Sequence, residues 1–179
     1  MASPLRVLVV CTGNICRSPL AERLLQRRLG DLAVVSSAGV RGLDAAAMDP
    51  HAAAELRRLG GDPAGFSSSR LVADDVAAAE LVITMTRAQR SEALTVEPRG
   101  LHRTFTLREL AYLLAASDVP YDPATTIGRL ARTRTSATLA DYDIADPIGG
   151  SAQLHRQVAD EIAAAVGVIG AAISSVPRG

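Results

Sequence analysis

Apolar positions along this chain fall into two kinds of segment, short unbroken runs and longer stretches at helical spacing. Leu5 to Val10 is apolar apart from Arg6, as strands covered on both faces tend to be. Pro19 to Leu29 places Leu20, Ala21, Leu24, Leu25 and Leu29 at helical spacing, and Gly30 ends the pattern. Ala33–Ser37 reads as a short second strand. Asp49-Pro50 opens a helix through Leu59, with proline in the first turn and Gly60-Gly61 beyond the end. A short helix is expected over Asp74–Ala79 and a third strand over Leu81–Met85. Thr86 suits an N-cap for a helix Arg87–Leu94, and a fourth strand is expected over Leu101–Phe105. Ser151 can cap a long last helix with Leu154, Val158, Ile162, Ala165, Val166 and Ile169 on one face.

Strands alternating with helices predict an α/β fold with a parallel, doubly wound sheet and right-handed crossovers. Ligands of such sheets bind at the carboxyl ends of the strands. The segment at the first such end is Cys11-Thr-Gly-Asn-Ile-Cys-Arg17-Ser18-Pro19. A thiol closes the strand, an arginine and a hydroxyl follow, and a helix begins. Loop amides and a helix N-terminus make an anion nest, and Arg17 offers a planar fork to two phosphate oxygens. Cysteines in such positive surroundings ionise readily, as a nucleophile must. Gly13 and Asn14 are residue types that tolerate the positive φ of a tight anion loop. A buried core thiol is the plain alternative for Cys11, and the whole pattern speaks against it.

The 179 residues predict one domain, 1–179. Nineteen acidic residues cancel nineteen basic ones, all of them arginine, so no global field points to nucleic acid or a membrane surface. Without lysine there is no Schiff-base chemistry. No signal peptide pattern precedes Leu5, and the alanine-rich C-terminal segment, broken by Gly167 and Gly170, reads as a packed helix. The expectation is a cytoplasmic protein. Cys11 and Cys16, with His51, His102 and His155 dispersed along the chain, suggest no zinc site, and no metal or cofactor is expected. The histidines show no constellation in sequence, and His51 and His155 are expected on exposed helix turns.

The segment Cys11 to Glu22 resembles the signature of the low-molecular-weight protein tyrosine phosphatase family. Val35-Ser-Ser-Ala-Gly39 resembles that family's second strand and the following turn, and Glu80 to Arg87 its third strand and next helix. Ala145-Asp146-Pro147 resembles its general-acid loop. The resemblance spans nearly the whole chain except for an atypical stretch at roughly 111–142. It implies a three-layer αβα fold with a four-stranded parallel sheet and a phosphate-binding loop after the first strand. It also implies a phosphomonoesterase working through a phosphocysteine. Cys11 would be the nucleophile and Arg17 the phosphate ligand, aided by loop residues Thr12, Gly13, Asn14, Ile15, Cys16 and Ser18. Ser18 would donate to the Cys11 sulfur, and Asp146 would be the general acid that later activates water. The substrate would be a phosphorylated protein or peptide, releasing inorganic phosphate.

Some readings stay open. Asp-Pro recurs at Asp49, Asp62 and Asp122, so position rather than the dipeptide selects Asp146, with Asp141 and Asp143 as runners-up. Cys16 is either a partner for a reversible disulfide with Cys11 or a small buried loop residue. Tyrosine-specific members resembling this chain carry aromatic residues after the Asp-Pro and after the second strand. Here Ile148-Gly149-Gly150 and Val40 to Asp44 stand there, leaving Leu43, Ile148 or Tyr142 to rebuild a wall. The stretch 111–142 reads as a solvated insertion, partly helical, or as a recognition lid using Arg129, Arg132 and Arg134. Rival functions are an arsenate reductase, disfavoured by the lack of a third cysteine, and a protein arginine phosphatase, distinguished by a threonine where this loop has Ile15. A non-catalytic phosphate-binding or redox-sensing module is the third.

Overall fold

A computed structural model describes residues 3–42 and 44–175. The first apolar run becomes β1 (Leu5–Cys11), leading into α1 (Arg17–Leu29) and then β2 (Ala33–Gly39). There follow α2 (Pro50–Arg58), α3 (Ala73–Ala78), β3 (Leu81–Thr84) and α4 (Arg87–Val96). The chain closes with β4 (Thr104–Thr106), α5 (Leu107–Ala115), α6 (Thr126–Thr133) and α7 (Ala152–Ser174). The four strands lie in the order β2-β1-β3-β4 and every pairing is parallel.

Strand β1 is central, and its side chains divide between the two faces because successive residues point to opposite sides. Val7, Val9 and Cys11 enter the larger core with Leu25, Ile83, Phe105, Leu110, Ile162 and Ile169. Leu8 and Val10 enter a smaller one with Leu71, Val76, Val82 and Ala93. Helices α1, α5 and α7 cover the first face, and α3 and α4 the second. The three-layer αβα sandwich expected from the sequence is the fold observed. By length and composition α7 could cross a membrane, but Val158, Ile162, Val166, Ile169 and Ile173 are buried where the helix packs on α1, α2 and α5.

Capping follows sequence chemistry. Asp49 accepts from the amides of His51 and Ala52, Thr86 forms a reciprocal box with Gln89, and Ser151 accepts from Leu154. One expectation needs correction. The fourth strand starts later than Leu101, because Pro98–Arg103 forms a 3₁₀ turn opened by Pro98 and capped by the Glu97 carboxylate. It is followed at once by α5, whose N-cap Thr106 and third residue Glu109 satisfy each other's amides.

The stretch 111–142 is not merely solvated. Leu113, Leu114, Tyr121, Leu130 and Ala137 belong to the main core. Arg134 stacks over the Phe105 ring, 4.4 Å from its centroid, and lies 3.2 Å from the buried Glu109 carboxylate. Arg129 donates to Ser117. Two of the three arginines of the supposed patch are therefore engaged within the fold.

Leu130 is only 2% exposed. Leu130→Ala should therefore lower unfolding free energy by about 2–5 kcal/mol in urea titrations. A loss within the ~0.5 kcal/mol typical of surface substitutions would show that α6 does not pack as described.

Candidate active site

The loop from Cys11 to Arg17 turns between the end of β1 and the start of α1. Its geometry is set by Asn14, which is fully buried and has φ of 56°. Asparagine is among the few residues that visit this left-handed region readily. The Asn14 amide nitrogen donates to Ser18 Oγ (2.9 Å) and Ser37 Oγ (2.8 Å), and its carbonyl accepts from the Ser69 amide at 2.8 Å. Gly13 does not share the left-handed conformation, contrary to expectation. Asn14 thus orders the loop, with its side chain committed to protein partners.

Cys11 is buried, with Sγ 3.0 Å from Ser18 Oγ and 3.3 Å from the backbone amide of Asn14. Both groups can donate to a thiolate. Thr12 is fixed from two sides: its hydroxyl accepts from Gln89 Nε2 at 3.0 Å and its carbonyl from the Arg41 amide at 2.9 Å. Gln89 meanwhile accepts from the amides of Met85 and Thr86, linking the loop to the carboxyl end of β3. Gly39 lets β2 come close: a Cβ there would stand 2.6 Å from the Thr12 carbonyl oxygen and 2.9 Å from the Asn14 nitrogen.

Ser37 Oγ donates to the Glu22 carboxylate in a very short bond. Burial pushes the Glu22 carboxyl above its ordinary range, with Ser37's hydrogen bond and Arg23 pulling against it. Glu22, Ser37 and Gln89 form the loop's outer support. Sequence patterning gives them no role, since each acts through contacts between distant segments.

Arg17 is 4% exposed, although it carries a full charge. Its Nη1 donates to the Ile144 carbonyl at 3.0 Å, and Nη2 pairs with Asp146 Oδ2 at 2.9 Å. Its Nε is buried without a partner among the described residues, a donor that an oxyanion could take. The Asp146 loop is itself anchored, because the Ile144 amide donates to Met85 O and Gly150 to Pro147 O. Asp146 is half-exposed at the surface of this assembly. Of the runners-up, Asp143 accepts from the Arg87 amide and Asp141 pairs with Arg108. Both are occupied in holding the loop.

Two expectations about side chains change. His155 is buried rather than exposed, and its ring lies 4.9 Å from that of the exposed His51. It also stands with Cys16 and Asp49, so His51 and His155, though not His102, come together in space. Cys16 is buried, and burial pushes its thiol well up, reinforced by Asp49, Cys11 and Asp146. Tyr142 is held by a hydrogen bond to the Ala137 carbonyl and by Arg87 over its ring, 5.3 Å from the centroid. Ile148 is exposed, and Leu43 lies outside the described residues.

A thiol over an anion loop, a buried arginine and a carboxylate on a neighbouring loop define a cysteine-dependent phosphatase site. The description "low molecular weight phosphotyrosine protein phosphatase" matches residues 6–175, and the chain belongs to that family. A protein-arginine-phosphatase of Geobacillus stearothermophilus is 31% identical over 159 residues, covering 89% of each chain. Low molecular weight protein-tyrosine phosphatase A of Mycobacterium tuberculosis is 35% identical over 130 residues, covering 68% of this chain and 78% of its own. The structure of YwlE arginine phosphatase from G. stearothermophilus superposes with a TM-score of 0.73 at 28% identity, covering 94% of this chain and 92% of its own.

Glu22 makes the support of the loop pH-dependent. Its carboxyl binds a proton more readily in the folded chain than in the unfolded one. Its stabilising share is complete at acid pH, below the ordinary carboxylate range, and is lost as pH rises through the raised native value. Glu22→Gln should flatten that part of a Tm–pH profile measured by circular dichroism; an unchanged profile would remove Glu22 as the titrating group.

Proposed function

We propose that this single-domain, cytoplasmic enzyme hydrolyses phosphotyrosine in proteins or peptides through a phosphocysteine. The observation that carries the proposal is the cluster of Cys11 Sγ, 3.0 Å from Ser18 Oγ, with Arg17, whose Nη2 lies 2.9 Å from Asp146. A binding module has no need of the carboxyl group.

The mechanism begins with a phosphate dianion competing with Asp146 for Arg17. The loop amides of Thr12 to Ser18 and the Arg17 guanidinium then hold the equatorial oxygens. Cys11 thiolate attacks phosphorus in line, forming the S–P bond as the P–O bond to the leaving group breaks. Once displaced from Arg17, Asp146 takes up a proton from solvent and gives it to the leaving oxygen. The aspartate then takes a proton from water, which attacks phosphorus and releases inorganic phosphate and the thiolate. Ser18 donates to Sγ as that thiolate departs.

Asp146→Ala should lower kcat by roughly 10²–10⁴ on poor leaving groups and far less on p-nitrophenyl phosphate, whose phenolate needs little protonation. If Asp143→Ala gives that leaving-group pattern and Asp146→Ala does not, the acid is misassigned.

Arginine phosphatase activity is the second reading, favoured by the 31% identity with the Geobacillus enzyme over 89% of the chain and by the absence of aromatic residues after the Asp-Pro. Ile15 opposes it. This half-buried side chain packs on the main core, and its carbonyl accepts from the Asp49 amide at 2.8 Å. A guanidinium N–H left unpaired against isoleucine costs about 1–3 kcal/mol, which corresponds to roughly 5- to 150-fold in favour of an aryl ring. Each missing aromatic wall forgoes only about 0.5–1.5 kcal/mol beyond its area. Matched phosphotyrosine and phosphoarginine peptides should give a higher kcat/KM for the tyrosine substrate, and Ile15→Thr should narrow the gap. Equal or better wild-type turnover of phosphoarginine would overturn the tyrosine assignment.

A further inference from the structure

Cys16, Asp49 and His155 come from three separate places: the anion loop, the N-cap of α2 and the first turns of α7. Their ligand atoms nevertheless all lie within 4.8 Å of one another. Two further observations point to an occupant. The His155 side chain is 3% exposed, and its Nδ1 stands 3.8 Å from Asp49 Oδ1, too far for a hydrogen bond. Cys16 and His155, though not Asp49, also line a small cavity of about 10 Å³, together with Arg17, Leu20, Pro147 and Ile162. That is room for one water-sized particle.

We infer that Cys16, Asp49 and His155 form a binding site for a thiophilic divalent cation of the Zn²⁺ type. Thiolate, imidazole and carboxylate are the donors zinc prefers, and three protein ligands with water in the fourth position make a known coordination pattern. Zinc bond lengths in tetrahedral geometry set donor atoms roughly 3.3–3.6 Å apart. With donor atoms up to 4.8 Å apart, the site needs a contraction of up to roughly 1.5 Å, within the range of side-chain rotations.

The charges also balance. Thiolate and carboxylate together neutralise a doubly charged ion, leaving a site that can be buried at low cost. Coordination requires Cys16 as the thiolate. Binding therefore replaces the S–H proton with an S–metal bond and releases that proton to solvent. His155 ligates as the neutral imidazole. Asp49 accepts its capping bonds from His51 and Ala52 through Oδ1, the same oxygen that stands 3.8 Å from His155 Nδ1, so the ion would share Oδ1 or take Oδ2 after a turn of the carboxylate.

Occupancy would tie the anion loop to α2 and α7 through a residue that does no chemistry. Cys16 immediately precedes Arg17, so the phosphate ligand would be braced at its own backbone. The site is distinct from the nucleophile and does not depend on which phosphorylated residue the enzyme prefers.

Cys11 is itself a thiol and must be removed from the test. The Cys11→Ser protein, titrated with Co²⁺ as a spectroscopic substitute for Zn²⁺, should bind one equivalent per chain, with sulfur-to-metal charge-transfer absorption in the near ultraviolet. Adding Cys16→Ser should abolish that absorption. Adding His155→Gln or Asp49→Asn should weaken Co²⁺ binding at least tenfold; asparagine retains the cap at position 49, so that variant keeps its helix. His155→Gln with Cys11 intact should keep its p-nitrophenyl phosphatase activity, which confirms a folded protein. Absence of Co²⁺ binding to Cys11→Ser would overturn the inference, as would binding that neither the His155 nor the Asp49 substitution weakens.

Discussion

The buried Asn14 side chain fastens three parts of the chain to the anion loop. With its backbone in the left-handed region, its carboxamide reaches Ser18 at the start of α1, Ser37 near the end of β2 and the Ser69 amide beyond α2. Each bond fixes a wall of the anion loop, and Ser18 in turn contacts the Cys11 sulfur. No hydrocarbon side chain of similar size could satisfy these partners. Leaving one buried polar group unpaired costs about 1–3 kcal/mol, so the network holds together or fails as a unit.

The exclusive use of arginine suits the same architecture. Arg17 and Arg134 are both largely buried, one against Asp146 and the other between the Phe105 ring and Glu109. A guanidinium is more weakly hydrated than an ammonium group and presents a flat face and several fixed donors. Arg134 uses all of this at once, stacking on an aromatic ring while donating to a carbonyl and pairing with a carboxylate. The Glu109 carboxylate, 3% exposed, is also approached by Arg90 and so has positive charge on two sides. A lysine in place of Arg134 would offer neither the plane nor the fork.

Much of this was readable in the linear chain, for identifiable reasons. The unbroken apolar run, the helix stops at glycine and the caps Asp49, Thr86 and Ser151 are local signals, and they gave the architecture. The loop motif singled out Cys11, Arg17 and Ser18 as candidates. The fourth strand was misplaced because Leu101 looked apolar enough to begin it, whereas Pro98 and Gly100 favour a turn. Helix α5 had a signal that went unused: Thr106 and Glu109 are spaced as a reciprocal cap. His155 likewise shares helical spacing with Val158 and Ile162, which marks the buried face. Glu22, Ser37 and Gln89 were beyond reach, because their role exists only where β2, α1 and α4 converge.

The contact between Asp146 and Arg17 gives an incoming anion an internal competitor. The proposed proton donor occupies one arm of the phosphate ligand, 2.9 Å away. An arriving anion must exchange with a carboxylate before it can use the whole guanidinium. A dianion with several oxygens can also engage Nε and the loop amides, and so outbids the carboxylate; a halide or a simple monoanion has too few contacts to do so. Under the proposed roles, the pair would filter by charge and valence at the mouth of the site and tie release of the acid to arrival of the group that needs it.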